Sequence, residues 1–304
     1  MSMKGKPAGE FLIGRLTRIM PGLLVFATLA FLVLSILSNL PVSELFWRWL
    51  RAVFLFPKGP WIDGAIWTLT VEIVFYTLMF VVLAFRIQRH LGRMVRIFTI
   101  MSAIFWSMVF IDTVLPTGLP MVDMASIASI YALKTFLVTT GSFFALGYFL
   151  YEYHDGEKGA HLNAYTAIST AACFYAVYIF ADSSVGVVEY GQNPWVPAII
   201  WALCILGCFV VVGFEGYVKM SDFHKQVIRQ MGLLTYPVYL INQITGSAIA
   251  MLLFRVGFSE MYSLIITIVL IVFISWLFSN FWEPVIRKKL DSLFRWASMR
   301  SLPT

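Results

Sequence analysis

Apolar stretches of about 20 residues recur along this chain of 304 residues, and they limit its possible folds more than any other feature. Hydrophobic residues make up 60% of the sequence and charged residues only 12%, whereas charge is near a quarter in a typical soluble domain. A stretch of that length is long enough to cross the hydrocarbon core of a bilayer as a helix. The sequence therefore predicts an all-α, polytopic helical membrane bundle, with one domain over residues 1–304.

We predict about eight transmembrane helices and two amphipathic helices that lie along the membrane surface. The amphipathic pattern covers residues 42–56 and 284–297. The predicted spans cover residues 20–40, 65–85, 94–115, 129–150, 164–181, 195–217, 231–254 and 261–282.

The net charge of +6 is explained by membrane topology. With a cytoplasmic N-terminus, 17 of the 22 lysines and arginines fall in the segments on the inner side. The positive-inside rule then predicts that both termini are cytoplasmic, and the basic charge does not indicate nucleic acid as a partner. The three cysteines lie within predicted spans without the spacing of metal ligands, so no metal site is expected.

Glu72 is the one carboxylate in the span 65–85, about two helical turns from its start. A charge at the centre of a span costs roughly 2.5–3.5 kcal/mol, so such a residue is expected to have a partner, to face the bundle interior or to take part in chemistry. Lys134 is the other unusual charge, in the span 129–150. Two interpretations stay open: Lys134 pairs with Glu72 or shares a wet cavity with it, or it extends toward the membrane surface.

Two further groups of polar residues are candidates. Arg15 and Arg18 are neighbours on a helix face, and adjacent cations gain from a shared anion such as a phosphate; anchoring on the inner side is the simpler interpretation. In the seventh span, Pro237 is expected to bend or break the helix. Tyr239 and Asn242 share a face there, where hydrogen bonding between helices is the simpler explanation.

Four runs, in this order, resemble the motifs of acyltransferase family 3, which comprises integral-membrane enzymes that acylate lipopolysaccharide, exopolysaccharide and related glycans. Each run is weak alone, but their order and spacing extend over essentially the whole chain. The runs are Arg15-x-x-Arg18-Ile-x-Pro21, Trp67-Thr-Leu-Thr-Val-Glu72-x-x-Phe75-Tyr76, Gly232-x-x-Thr235-Tyr236-x-x-Tyr239-Leu240 and Glu283-Pro284.

The resemblance implies transfer of an acyl group, often acetyl, from acyl-CoA to a hydroxyl of a cell-surface or exported glycan or glycolipid. Acyl-CoA would be a co-substrate from the cytoplasmic side, with no permanently bound cofactor, in a multi-pass protein of the bacterial inner membrane. Arg15 and Arg18 would lie near its phosphates. The other implied site residues are Glu72, Tyr239 and Asn242 as catalytic candidates, and Trp67, Lys134, Tyr236 and Glu283 as substrate or structural candidates.

The chain also departs from the family pattern. Family members have about ten spans and a histidine, regarded as the catalytic base, in a helix before the arginine motif; the eight spans predicted here contain no histidine. Ile73 replaces a frequent second glutamate, Asn242 a frequent histidine, and Gly14 a frequent basic residue. Two explanations stay open: the sequence is an N-terminally short version of a full enzyme, or it is a catalytically incomplete eight-span variant that acts as a binding, structural or transport-like protein.

Overall fold

The computed structural model describes residues 7–114, 130–156, 159–183, 191–214 and 221–300. Every regular element in these ranges is helical, which confirms the predicted all-α class. Short 3₁₀ and π segments lie at Gln88–His90, Asn242–Gly246 and Phe278–Trp282. The α-helices are α1 Ala8–Leu37, α2 Val42–Val53, α3 Ile66–Ala84, α4 Leu91–Val114, α5 Tyr131–Thr135, α6 Gly141–His154, α7 Ala160–Asp182, α8 Trp195–Phe214, α9 Asp222–Ile241, α10 Ser247–Arg255, α11 Glu260–Leu277 and α12 Glu283–Arg300.

Within the described residues, seven helical segments are long and apolar enough to cross a membrane, one fewer than predicted. They confirm a multi-pass membrane protein. The segments are Ala8–Leu37, Ile66–Ala84, Gln88–Thr113, Ala160–Asp182, Trp195–Gly213, Asp222–Arg255 and Glu260–Arg295.

The predicted span 129–150 is the exception, because the helix is interrupted after Thr135. Leu137 has a positive φ of 61°, which a continuous helix does not allow. Side chains replace the backbone hydrogen bonds that the interruption removes: Ser102 donates to the carbonyl of Val138 at 2.7 Å, and the Trp106 indole N–H donates to that of Thr139 at 3.1 Å. The apolar pattern of residues 129–150 gives no sign of this break, because the side chains that stabilise it belong to α4.

The described residues pack into two compact units, and each is considered by itself. The middle unit lies within Phe85–Lys219 and contains α4 to α8. The N/C unit lies within Ser2–Ala84 and Met220–Thr304 and contains α1 to α3 and α9 to α12. This division does not test the prediction of one domain over residues 1–304, which stays a prediction.

Helix α1 is the centre of the N/C unit, where it contacts α2, α3, α9 and α12. Leu23 and Leu45 are completely buried in the core between these helices. At Gly22 the ring of Tyr236 approaches so closely that an added Cβ atom would lie 2.8 Å from it. Glycine is therefore what lets α9 pack against α1 at this point.

The amphipathic helix predicted at 42–56 is present as α2, Val42–Val53. Leu45, Ala52 and Val53 are buried on the face toward α1. The Trp49 indole N–H donates a hydrogen bond of 3.1 Å to the Thr28 hydroxyl of α1. The helix itself is confirmed, and its position in the outer membrane interface stays a prediction.

The second amphipathic stretch, 284–297, continues directly from the last span as α12 instead of forming a separate helix. The π segment Phe278–Trp282 joins the two, and Pro284 follows it as the second residue of α12.

Pro237 does not end its helix, α9, which continues to Ile241. Neighbouring groups can take over the hydrogen bond that a proline removes from a packed helix. The helix therefore does not break at Pro237, and the bend that the sequence equally predicted stays a prediction.

Candidate active site

Glu72 has a partner on its own helix. The hydroxyl of Tyr76, one turn later on α3, donates a hydrogen bond to the Glu72 carboxylate. Both side chains are half-buried. A hydrogen bond to a charged group contributes about 1.5–3 kcal/mol, which offsets much of the cost of placing a carboxylate among apolar side chains.

Arg15 of α1 covers this pair. Its guanidinium lies 5.2 Å from the centre of the Tyr76 ring and 5.4 Å from that of Phe11. The two rings are themselves perpendicular, with centres 6.2 Å apart. A planar guanidinium is well suited to such stacking and contributes about 0.5–2 kcal/mol per contact, depending on solvation.

Arg18, one turn further along α1, is exposed, and its charge acts on Tyr76, Tyr236 and Glu283. Tyr236 of α9 also experiences the charges of Glu72 and Glu283. Helices α1, α3, α9 and α12 thus bring six residues together, here called the acid–arginine cluster. Its members are Arg15, Arg18, Glu72, Tyr76, Tyr236 and Glu283.

A cleft of about 580 Å³ opens beside this cluster in the N/C unit. Glu283 is a member of the acid–arginine cluster and also lines the cleft, so the cleft reaches the cluster at this residue. Arg287 also acts on the Glu283 carboxylate. The cleft is lined by Glu10, Gly14, Thr17, Arg229, Leu233, Ser279, Glu283, Pro284, Arg287, Lys288, Asp291 and Arg295.

Tyr239 and Asn242, the other two catalytic candidates, are not members of the acid–arginine cluster. The Tyr239 hydroxyl donates to the carbonyl of Ala65 at 2.7 Å and lies 2.7 Å from the Thr68 hydroxyl. Its one proton is therefore used to hold the start of α3. The Asn242 side chain is exposed in a π segment, and Trp67 is half-buried on the first turn of α3, where its carbonyl accepts from Thr70 at 2.6 Å. Their predicted roles stay predictions.

Lys134 belongs to the middle unit, where its ammonium lies 4.9 Å from the centre of the Phe180 ring. A cation over an aromatic face gains electrostatic stabilisation. Glu72 belongs to the other unit, so its predicted pairing with Lys134 stays a prediction.

Asp63 is a residue that the sequence analysis missed. Its side chain is 3% exposed, and its Oδ1 accepts the Ala65 N–H at 2.8 Å, close to the start of α3. Among the described residues its Oδ2 makes no hydrogen bond of normal geometry, although the backbone N–H of Ile244 also acts on the carboxylate. The Asp-Gly pair just before an apolar run is typical of a helix N-terminus and was the available signal. Burial raises the pKa of the Asp63 carboxyl above its ordinary value of 3.8.

This raised pKa gives a prediction for stability. The folded state binds the Asp63 proton more tightly than the unfolded state, so this carboxyl lowers stability as pH rises from about 3.8 through its folded pKa. An asparagine side chain at this position would keep the Oδ1 acceptor without the charge. We expect Asp63→Asn to unfold at a higher temperature than the wild type at pH 7, with the gap closing toward pH 4.

The measurement is intrinsic tryptophan fluorescence during heating of the detergent-solubilised protein between pH 4 and 8. Asp63→Ala is the control, because it removes the acceptor as well as the charge and should be about 1 kcal/mol less stable than Asp63→Asn at any pH. A wild type that is more stable than Asp63→Asn at pH 7 would contradict the expectation.

The middle unit has a cavity of its own, about 620 Å³, between α6, α7 and α8. Its walls are apolar and aromatic, with Phe174, Trp201 and Phe209 among them. Tyr153, which donates to Asn163, is the one titratable side chain in its lining. The carboxylates and arginines that chemistry requires are found together at the acid–arginine cluster, which is therefore the candidate active site.

Comparison with known families shows to which family the chain belongs. A family model described as an acyltransferase domain matches residues 1–280, which is nearly the whole chain. The chain belongs to acyltransferase family 3. No curated protein and no solved structure matches it. The four runs that resemble the motifs of acyltransferase family 3 lie on α1, α3, α9 and at the start of α12, and each contributes to the acid–arginine cluster.

Proposed function

We propose that this membrane acyltransferase transfers an acyl group, acetyl in the simplest case, from acyl-CoA to a hydroxyl of a cell-surface or exported glycan, at the acid–arginine cluster. One observation carries the proposal: the Glu72–Tyr76 pair lies under Arg15, in a cluster that the cleft reaches through Glu283. A carboxylate, phenol and two guanidiniums next to an open cleft are the groups that acyl transfer needs.

In this reaction the acceptor oxygen attacks the thioester carbonyl carbon, and an ester bond forms while the carbon–sulfur bond breaks. The acceptor proton ends on the departing CoA thiol. A positioned acid–base group contributes about 10²–10⁴-fold to such a reaction, and one donor to the developing oxyanion about 10²–10³-fold. We assign the proton transfer to Glu72 and the stabilisation of negative charge to Arg15 and Arg18.

The position of the alternative base supports Glu72 in this role. Histidine is the most common general base, and the N/C unit contains one, His224, in the first turn of α9. It precedes Tyr236 by 12 residues, about 18 Å along a helix at 1.5 Å per residue. Tyr236 itself donates its proton to the Ile19 carbonyl at 2.8 Å, so it positions α1 and does not serve as a free donor.

The test is mass spectrometry of surface glycans from cells with and without the gene. We expect one acyl increment to disappear with the gene and to return when the wild-type chain is supplied. Glycans that are identical in both strains, although the purified chain binds acyl-CoA, would instead favour a catalytically incomplete binding protein.

A further inference from the structure

The cleft beside the acid–arginine cluster contains cations that the proposed chemistry does not use. Arg229 on α9 and Lys288 on α12 both line it, and both are exposed. Arg295 forms a salt bridge with Asp291, with 2.9 Å between Nε and Oδ2. The charge of Arg295 also interacts with Glu10. Glu283 has Arg18 and Arg287 near it. Arg229 and Lys288 are thus the cations of the cleft most available to a ligand.

We propose that Arg229 and Lys288 bind the phosphates of the nucleotide end of the acyl donor, so that its thioester end reaches Glu72 by way of Glu283. The inference rests on the proposed function and assigns a different role to each pair of cations. Arg15 stacks on Tyr76 and Phe11 and serves the acid–arginine cluster, whereas phosphates bind in the cleft. Lysine and arginine are the usual partners of phosphate oxygens.

Three properties of the cleft favour this ligand. Its volume of about 580 Å³ lies in the range of small-molecule sites. It is lined by the first three turns of α1, by Arg229 and Leu233 of α9 and by most of α12. The distribution of basic residues predicts that these segments lie at the cytoplasmic side, where acyl-CoA is found. It also leads to the cluster through a shared residue, Glu283, which a binding site for a separate ligand would not require.

Gly14 gives a way to test the cleft without changing its charge. It lies on the cleft wall of α1, and an added Cβ atom would meet nothing within 4 Å. A large side chain at this position would project into open space, so Gly14→Trp should fill the cleft and leave the helix packing intact.

The experiment measures the Kd of CoA and of 3′-dephospho-CoA for the full chain in nanodiscs of neutral lipid. Removing a charge-assisted contact should weaken CoA binding roughly ten- to a hundredfold. We expect that loss in Arg229→Gln and Lys288→Gln, a similar loss in Gly14→Trp, and reduced discrimination between the two ligands in one of the charge variants. Lys289→Gln is the matched control, because Lys289 is the adjacent exposed lysine of α12 and does not line the cleft.

Three results would overturn the inference. If the wild type binds CoA and both charge variants bind it equally well, the cleft assignment fails while the proposed donor stands. If the wild type binds no CoA, the donor itself fails. If the variants differ from the wild type only in nanodiscs that contain phosphatidylglycerol, the cations bind a lipid head group instead.

Discussion

Glu72→Gln should reduce acyl transfer by about 10²–10⁴-fold, the contribution of a positioned acid–base group. Glutamine has the same shape and can still accept a hydrogen bond from Tyr76, but it cannot take the proton of the acceptor hydroxyl. The measurement is transfer of label from acyl-CoA to glycan by the purified variant in nanodiscs, at protein levels matched to the wild type.

Tyr76→Phe is the control for this experiment. It removes the hydrogen bond to Glu72 but keeps an aromatic ring beneath Arg15, so transfer should fall less than in Glu72→Gln. Full activity in Glu72→Gln, or a larger loss in Tyr76→Phe, would contradict the role of Glu72 as the base and would shift attention to the phenol.

Replacing both Arg15 and Arg18 with alanine should lower acyl transfer by at least about 10²–10³-fold, the contribution of one donor to the developing oxyanion, while the protein still inserts. A loss of this size corresponds to about 2.7–4 kcal/mol of transition-state stabilisation, because the two guanidiniums are assigned to the negative charge that develops on the thioester oxygen. Since the two residues are one turn apart, their effects need not add. The measurement is kcat/KM for acyl-CoA, with membrane insertion checked by fractionation.

Arg89→Ala combined with Arg93→Ala is the matched control, because both side chains are exposed and neither residue belongs to the acid–arginine cluster. That variant should retain the wild-type kcat/KM. If the two double variants lose the same activity, the effect is one of total positive charge and not of the acid–arginine cluster.

The length and apolar character of the stretches were sufficient to predict the helical class and most spans. They were not sufficient where tertiary hydrogen bonds replace helical ones. The break at Leu137 depends on Ser102 and Trp106, which lie more than 30 residues earlier and are not part of its local pattern. Pro237 is the opposite case: the local sequence contains a helix-breaking residue, yet α9 continues through it.

Sequence motifs predicted that Arg15, Arg18, Glu72, Tyr236 and Glu283 matter, and the structure brings these five together. Spacing alone could not distinguish Tyr236 from Tyr239, although they are three residues apart on one helix. One hydroxyl bonds to α1 and the other to the start of α3. Which acceptor a phenol reaches depends on how neighbouring helices are placed, and this information is not contained in one helix's pattern.

The bond from Tyr236 to α1 ends on the main-chain oxygen of residue 19, not on a side chain. Any amino acid at position 19 presents that same oxygen, so a substitution of the buried Ile19 changes the packing of the core but keeps the acceptor of this bond. The donor has no such substitute, because it is the phenol of Tyr236, whose ring also packs closely against Gly22. The bond that joins α9 to α1, one residue from Arg18, is thus lost by substitution at Tyr236 but not by substitution at Ile19.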